Sequence, residues 1–203
     1  MIKNVVLDLG GVIVKLDRAR CVESFRKIGY ENFGSVLDNY LQKDFFLDFE
    51  KGNIPEQEFR NIIRSNIKND VTDKEIDNAM GDFLSEISQE KFNSLRELRK
   101  RYKLSLLSNT NTIAVMRVRE LFRLSGTEFE DYFDNIHLSY QMGMVKPDPV
   151  IFMEVLAREG AEASETLFCD DSPANIISAS SLGIKTLHTD YDSDLFNSVT
   201  GVV

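Results

Sequence analysis

Cysteine is scarce in this chain: two residues, Cys21 and Cys169, among 203. They stand far apart and form no C-x-x-C pair. That argues against a disulfide framework and fits unpaired thiols in a reducing compartment. Histidine is as scarce, and His137 and His188 lie in or beside strand-like runs without metal-ligand spacing. Positive charge is in deficit, with 24 Lys and Arg against 33 Asp and Glu, a net charge of −9. Phosphate backbones and anionic lipids need a basic footprint, so neither nucleic acid nor a membrane surface is expected as a partner. No apolar run approaches the ~20 residues of a membrane helix, and Asp8 interrupts the best candidate. The first strand-like run starts at Lys3, which leaves no room for a signal peptide. The expected compartment is the cytoplasm. Internal repeats and low-complexity tracts are also absent.

What is present is an ordinary globular composition, 42% hydrophobic and 28% charged. The length allows one domain, or a core domain with a small insert. The chain is organised around its opening, Val5-Val6-Leu7-Asp8-Leu9-Gly10-Gly11. Three branched aliphatics read as a strand buried on both faces, typical of a parallel sheet. Asp8 then falls at the carboxyl end of that strand, where open α/β sheets bind ligands. Two glycines let the backbone turn and approach a bound group closely. Taken alone, Asp8 reads more readily as the cap of a turn.

Residues 17–87 read as helices. Asp17 can cap a helix carrying Cys21, Val22, Phe25 and Ile28. Leu37, Leu41, Phe45, Phe46 and Phe49 suggest a second helix, and Phe59, Ile62, Ile63 and Ile67 a third. Thr72 and Glu75 have the form of a capping box ahead of Ile76, Ala79 and Met80. From Ser88 onward, strands alternate with helices. Lys103–Leu107, Asn135–Leu138, Thr166–Cys169 and Ile184–Leu187 are the strand-like runs. Asp148-Pro149 and Ser172-Pro173 each form a cap-then-proline helix start. The tail from Asp190 carries no clear pattern. The fold class is therefore α/β: a Rossmann-like, doubly wound parallel sheet in residues 1–16 and 88–203, with an all-helical cap inserted at 17–87.

In a parallel sheet every crossover returns the chain to the same edge. Asp8, Ser108-Asn109, Lys146 and Asp170-Asp171 would then converge. Singly, each has a plain structural reading: Ser108 or Asn109 as helix caps, Lys146 as a surface cation, Asp171 as the cap at Pro173. Together they are equipment for moving a phosphoryl group. Clustered carboxylates hold a hard cation such as Mg2+. Asp8 can attack phosphorus and form an aspartyl-phosphate. Ser108 and Asn109 can hold the equatorial oxygens, and Lys146 can set a positive charge against them.

The order Asp8…Ser108…Lys146…Asp171 resembles the four motifs of the haloacid dehalogenase-like hydrolase superfamily. Residues 17–87 sit where that superfamily places a helical cap. Asp8–Val14, Phe49-Glu50-Lys51-Gly52-Asn53-Ile54, Leu107–Asn111, Gly143–Pro147 and Asp170–Ile176 are similar to its sugar-1-phosphatase branch, the alpha-D-glucose-1-phosphate phosphatase type. The resemblance implies a Mg2+-dependent phosphatase with Asp8 as nucleophile and Asp171 as a metal ligand. It further implies that the Gly10 carbonyl reaches the metal and that Asp170 and Asn175 orient the site. The substrate class it implies is a small phosphorylated metabolite.

Most phosphatases of the superfamily carry a general acid two positions after the nucleophile, where this chain has Gly10. A poor leaving group needs that proton most, so Gly10 leads to the expectation of anomeric or otherwise activated phosphates. The alternative reading is a non-catalytic module of the same fold that binds a phosphometabolite or a protein partner. A dehalogenase would leave Asp170-Asp171 without a task, and a receiver domain would carry its carboxylate pair first. The sequence names neither the physiological substrate nor an oligomeric state.

Overall fold

The computed structural model describes residues 1–39 and 45–203. Leu41, which the sequence groups with Leu37 and Phe45, lies outside them. Five strands form one parallel sheet: β1 (Asn4–Leu7), β2 (Lys103–Ser108), β3 (Asn135–Leu138), β4 (Thr166–Asp170) and β5 (Lys185–His188). Their spatial order is β3-β2-β1-β4-β5, with β1 at the centre. Leu7 pairs with Leu106 on one side and Cys169 on the other. All four residues of β1 are buried, as an unbroken aliphatic run in a central parallel strand should be.

The first five helices are α1 (Arg18–Lys27), α2 (Phe33–Asn39), α3 (Phe45–Glu50), α4 (Glu56–Ser65) and α5 (Asp73–Gly81). Those of the core follow: α6 (Gln89–Arg99), α7 (Thr112–Leu124), α8 (Ser139–Met142), α9 (Pro149–Glu159), α10 (Pro173–Ser181) and α11 (Leu195–Thr200). Strand side chains alternate between faces, and the core divides accordingly. Val5, Leu7, Leu104, Leu106, Leu167 and Cys169 pack with Phe92 and Leu95 of α6, Val118 and Phe122 of α7, and Val199 of α11. Val6, Leu107 and Phe168 pack on the opposite face with Phe152 and Val155 of α9 and Ala179 of α10. The sheet is thus covered on both sides, the doubly wound arrangement expected from strand–helix alternation.

Helices α1 to α5 build a second core, to which Ile113 of α7 also contributes. Phe25, Phe33, Phe46, Phe49, Phe59, Ile63 and Ile76 pack together. The Phe49 and Phe59 rings stack at 4.3 Å, and Phe46 meets Phe59 edge-on at 5.2 Å. Emptying the centre with Phe59→Ala would cost about 3–5 kcal/mol. The two chain connections to the sheet pair with each other. Asp17 N–H donates to Phe83 O at 2.8 Å, and Ser85 N–H donates to Lys15 O at 2.9 Å. Leu16 and Leu84 form the bridge between them. Arg117 of α7 also donates to Leu84 O at 3.3 Å.

Several caps are as read: Asp17 accepts from Arg20 N–H, Thr72 and Glu75 close a capping box, and Asp148 accepts from Val150 N–H. Others differ. Asn111, not Ser108 or Asn109, caps α7 by accepting from Ala114 N–H at 3.0 Å. At the start of α10 the Ser172 side chain makes no cap bond. Asp170 Oδ1 instead accepts from Ser172 N–H at 2.8 Å. The featureless tail contains α11, capped by Asp194 and anchored by buried Leu195 and Val199.

Candidate active site

The carboxyl edge of the sheet collects the polar residues at its middle. Asp8 follows β1, Ser108 ends β2, Asp170 ends β4, the neighbour of β1, and Asp171 follows it. Backbone pairing sets the level, since Asp8 N–H donates to Cys169 O at 2.9 Å. Lys146 comes from the segment between β3 and α9. Its ammonium donates to Asp8 Oδ1 at 2.7 Å, Asp170 Oδ2 at 2.7 Å and Leu107 O at 3.0 Å. All three donors of an ammonium are thus used. Lys146 is buried, as are Asp8 and Asp170. It is not the surface cation that its type alone would indicate.

Asp170 is satisfied at both oxygens. Asn175 Nδ2 lies 3.0 Å from each, and Ser172 N–H and Lys146 supply the rest. Asp171 is half-buried and packs against Gly11. A Cβ on Gly11 would lie 2.1 Å from Asp171 Oδ2, and Gly11 has φ +78°, so only glycine leaves room for this carboxylate. His188 Nε2 lies 2.9 Å from the Asp171 main-chain oxygen. Gly10 forms a bridge with Val14, and its Cβ position is 3.2 Å from Leu16 Cδ2.

Asn109 is engaged differently from the sequence reading. Its Nδ2 donates to Lys146 O and its Oδ1 accepts from Lys146 N–H, both at 2.8 Å. Asn109 thus holds Lys146 through both ends of its amide, which leaves the second N–H of Nδ2 without a partner among these bonds. Ser108 is buried, with its hydroxyl 3.4 Å from Asn109 O. Ser139 was not singled out by sequence. Its buried hydroxyl accepts from Thr110 N–H at 2.9 Å and donates to Thr110 O at 3.0 Å.

The electrostatics follow from this burial. Desolvation pushes the Asp8 carboxyl up to about 7; Lys146 pulls it back and the Asp170 charge adds to the rise. Burial opposes the charge on Lys146, but Asp8 and Asp170 outweigh it and hold the ammonium above its ordinary range. Burial, then Asp170, raises Asp171. Asp8, Asp170 and Asp171 each offer an oxygen within 4.8 Å of the others. Three carboxylates so close repel one another, and Lys146 supplies a single positive charge. Such a cluster suits a hard divalent cation, and the slot that Gly11 leaves beside Asp171 fits that use.

A profile of the haloacid dehalogenase-like hydrolases matches residues 2–183. The chain belongs to that family of hydrolases. It is similar to the D-ribitol-5-phosphate phosphatase of Bacteroides thetaiotaomicron, 35% identical over 204 aligned positions that span 100% of this chain and 99% of the relative. Among solved structures it resembles a HAD family enzyme from Bacteroides thetaiotaomicron, in complex with magnesium and inorganic phosphate. The TM-score is 0.89 at 42% identity, over 95% of this chain and 96% of that one. A predicted HAD-like family hydrolase from Porphyromonas gingivalis matches at TM-score 0.88 and 39% identity, over 100% and 98%. No helix among the described residues is long and apolar enough to cross a membrane.

Proposed function

We propose that this hydrolase is a Mg2+-dependent phosphatase of a small phosphorylated carbohydrate, acting in the cytoplasm. The observation that carries the reading is the ammonium of Lys146, 2.7 Å from Asp8 and from Asp170 at the head of the central strand. A buried lysine there orients a carboxylate toward an incoming group and balances charge on it. A non-catalytic module would have little use for so costly an arrangement.

Asp8, the Gly10 carbonyl and Asp171 would hold Mg2+, with Asp170 and Asn175 bracing the site. Once bound, the cation would lower the Asp8 pKa and offset the repulsion between carboxylate and phosphate. Lys146 holds Asp8 Oδ1 and fixes the plane of the carboxylate. Asp8 attacks phosphorus, a new P–O bond forms to its carboxylate, and the bond from phosphorus to the sugar oxygen breaks, the departing alkoxide taking its proton from water because position 10 offers no acid. Ser108 and Lys146 hold charge on the transferring group. Water then releases phosphate and regenerates Asp8. Helices α1 to α5, residues 17–87, act as a lid that excludes water and selects the sugar.

Two lines bear on the substrate. Gly10 removes the general acid from its usual place and favours an anomeric ester. The Bacteroides thetaiotaomicron relative is named for ribitol 5-phosphate, a primary-alcohol ester without an anomeric carbon. The relative spans the whole chain, so a terminal polyol phosphate leads and the anomeric ester is the competitor. The test is release of phosphate by purified protein from p-nitrophenyl phosphate, ribitol 5-phosphate and glucose 1-phosphate, with and without Mg2+. Absence of Mg2+-dependent turnover on every phosphomonoester in a wider panel would sink the reading.

A further inference from the structure

Two neighbouring residues at the start of α8 reach two different parts of the molecule. Ser139 is fully buried, and its hydroxyl makes both bonds to Thr110 described above. Thr110 follows Ser108 and Asn109 directly, so Ser139 fixes the loop that leaves β2. The main-chain oxygen of Tyr140 packs against Gly52, in the turn between α3 and α4, whose own N–H donates to Phe49 O. A Cβ on Gly52 would lie 2.3 Å from that oxygen, and Gly52 has φ +70°. Glycine is therefore needed twice, for the backbone conformation and for the close approach. The helical insert also meets the rest of the molecule at its paired chain connections at Leu16 and Leu84, at Arg117 on α7, and at Ile113 of α7, which packs into the insert's own core.

We propose that the Ser139–Tyr140 turn couples seating of the insert to the shape of the loop that carries Ser108 and Asn109, with Ser139 as a positioning residue. Consecutive residues in a single helical turn cannot shift independently. When Gly52 seats on Tyr140 O, the Ser139 hydroxyl is held where Thr110 needs it. When the insert lifts, Tyr140 relaxes and the grip on Thr110 loosens. The lid is thereby sensed at the site through the loop at Thr110. This inference rests on the phosphatase reading for its meaning, but the coupling itself is measurable without turnover.

The experiment is amide hydrogen exchange on the full chain with Mg2+, comparing Gly52→Ala with Gly126→Ala. Gly126 has φ +75° and open space at its Cβ position, so it shares the backbone strain without the collision. Exchange at Thr110 should rise about 5-fold or more in Gly52→Ala, the equivalent of losing roughly one net hydrogen bond, and stay near wild type in Gly126→Ala. Equal exchange at Thr110 in both variants overturns the coupling. Linkage is reciprocal, so Ser139→Ala should raise exchange at Gly52 and Asn53, and Ser139→Thr should restore part of the protection. If Gly52→Ala does not fold, that second comparison decides, and unchanged exchange at Gly52 overturns the proposal. With p-nitrophenyl phosphate, Ser139→Ala should lower kcat more than it raises KM. A wild type inactive on every phosphomonoester while the exchange effects persist would sink the phosphatase reading and leave the coupling standing.

Discussion

Lys146 Nζ lies 2.7 Å from Asp8 Oδ1, and both groups are shut away from solvent. Removing the lysine leaves Asp8 and Asp170 buried without their cation. Lys146→Met should lower stability by about 3 kcal/mol or more in metal-free protein, read by urea unfolding. Turnover should fall by about 10²-fold or more. Lys146→Arg should not rescue either, because a planar fork cannot replace three converging donors of an ammonium. Wild-type stability in Lys146→Met would contradict the burial energetics.

Gly11 governs access to Asp171. Gly11→Ala puts a methyl group 2.1 Å from the original position of Asp171 Oδ2, at φ +78°. The carboxylate must turn away, so affinity for Mg2+ should fall by about 10-fold or more. Gly160→Ala is the control, with φ +60° and open space. Calorimetric titration of Mg2+ into each variant separates the two. Equal affinities would detach Asp171 from the metal.

Leu16 stands where a side chain at position 10 would go. Gly10→Asp alone should gain only part of the benefit, since its Cβ meets the tip of Leu16 at 3.2 Å and that side chain must shift to admit it. Paired with Leu16→Ala, the new acid has room. General acid help is worth ~10²–10⁴ in rate, most for poor leaving groups. The double variant should gain on sugar 6-phosphate relative to sugar 1-phosphate, measured as the ratio of kcat/KM values. A ratio equal to that of Gly10→Asp alone would remove Leu16 from the account.

Glu159 is buried beneath β2 and β3, with Oε1 2.7 Å from His137 Nε2 and Oε2 3.4 Å from Lys103 Nζ. Burial pushes its carboxyl up, but the bonds to His137 and Ser105 and the charges of His137 and Lys103 outweigh that and lower it below 4.5. A depressed folded-state value gives stability that is present above the ordinary value and lost as pH falls through the folded one. Glu159→Gln should cost about 2 kcal/mol at neutral pH. The gap to wild type should narrow as pH drops below 4.5. A gap constant across that window would show that the charge contributes nothing.

Much of this was legible in the chain because the signals were local. The aliphatic run before Asp8 fixes a central strand by its own burial. Thr72 and Glu75 act across three residues, and Asp148-Pro149 across two. Convergence at the sheet edge followed from topology alone. The parts that escaped depend on partners distant in sequence. The hold of Asn109 on the main chain of Lys146, 37 residues on, has no signal in the sequence. Ser139 is one more serine after a strand until the loop at Thr110 folds back onto it. Gly52 looks like a loop breaker, and its positive φ together with the approach of Tyr140 O explains why glycine is required there. The tail gave no periodic pattern because α11 is a six-residue helix; Asp194 with Leu195 and Val199 was the available signal.

Trapping the proposed aspartyl-phosphate on Asp8 is the most direct test. Wild-type protein would be mixed with Mg2+ and a phosphomonoester, quenched in acid within a turnover, digested and read by mass spectrometry. The predicted result is a phosphoryl group on the peptide containing Asp8, labile to hydroxylamine, and absent from Asp8→Asn along with activity. Sustained Mg2+-dependent turnover by Asp8→Asn, with that peptide never modified in the wild type, would contradict it.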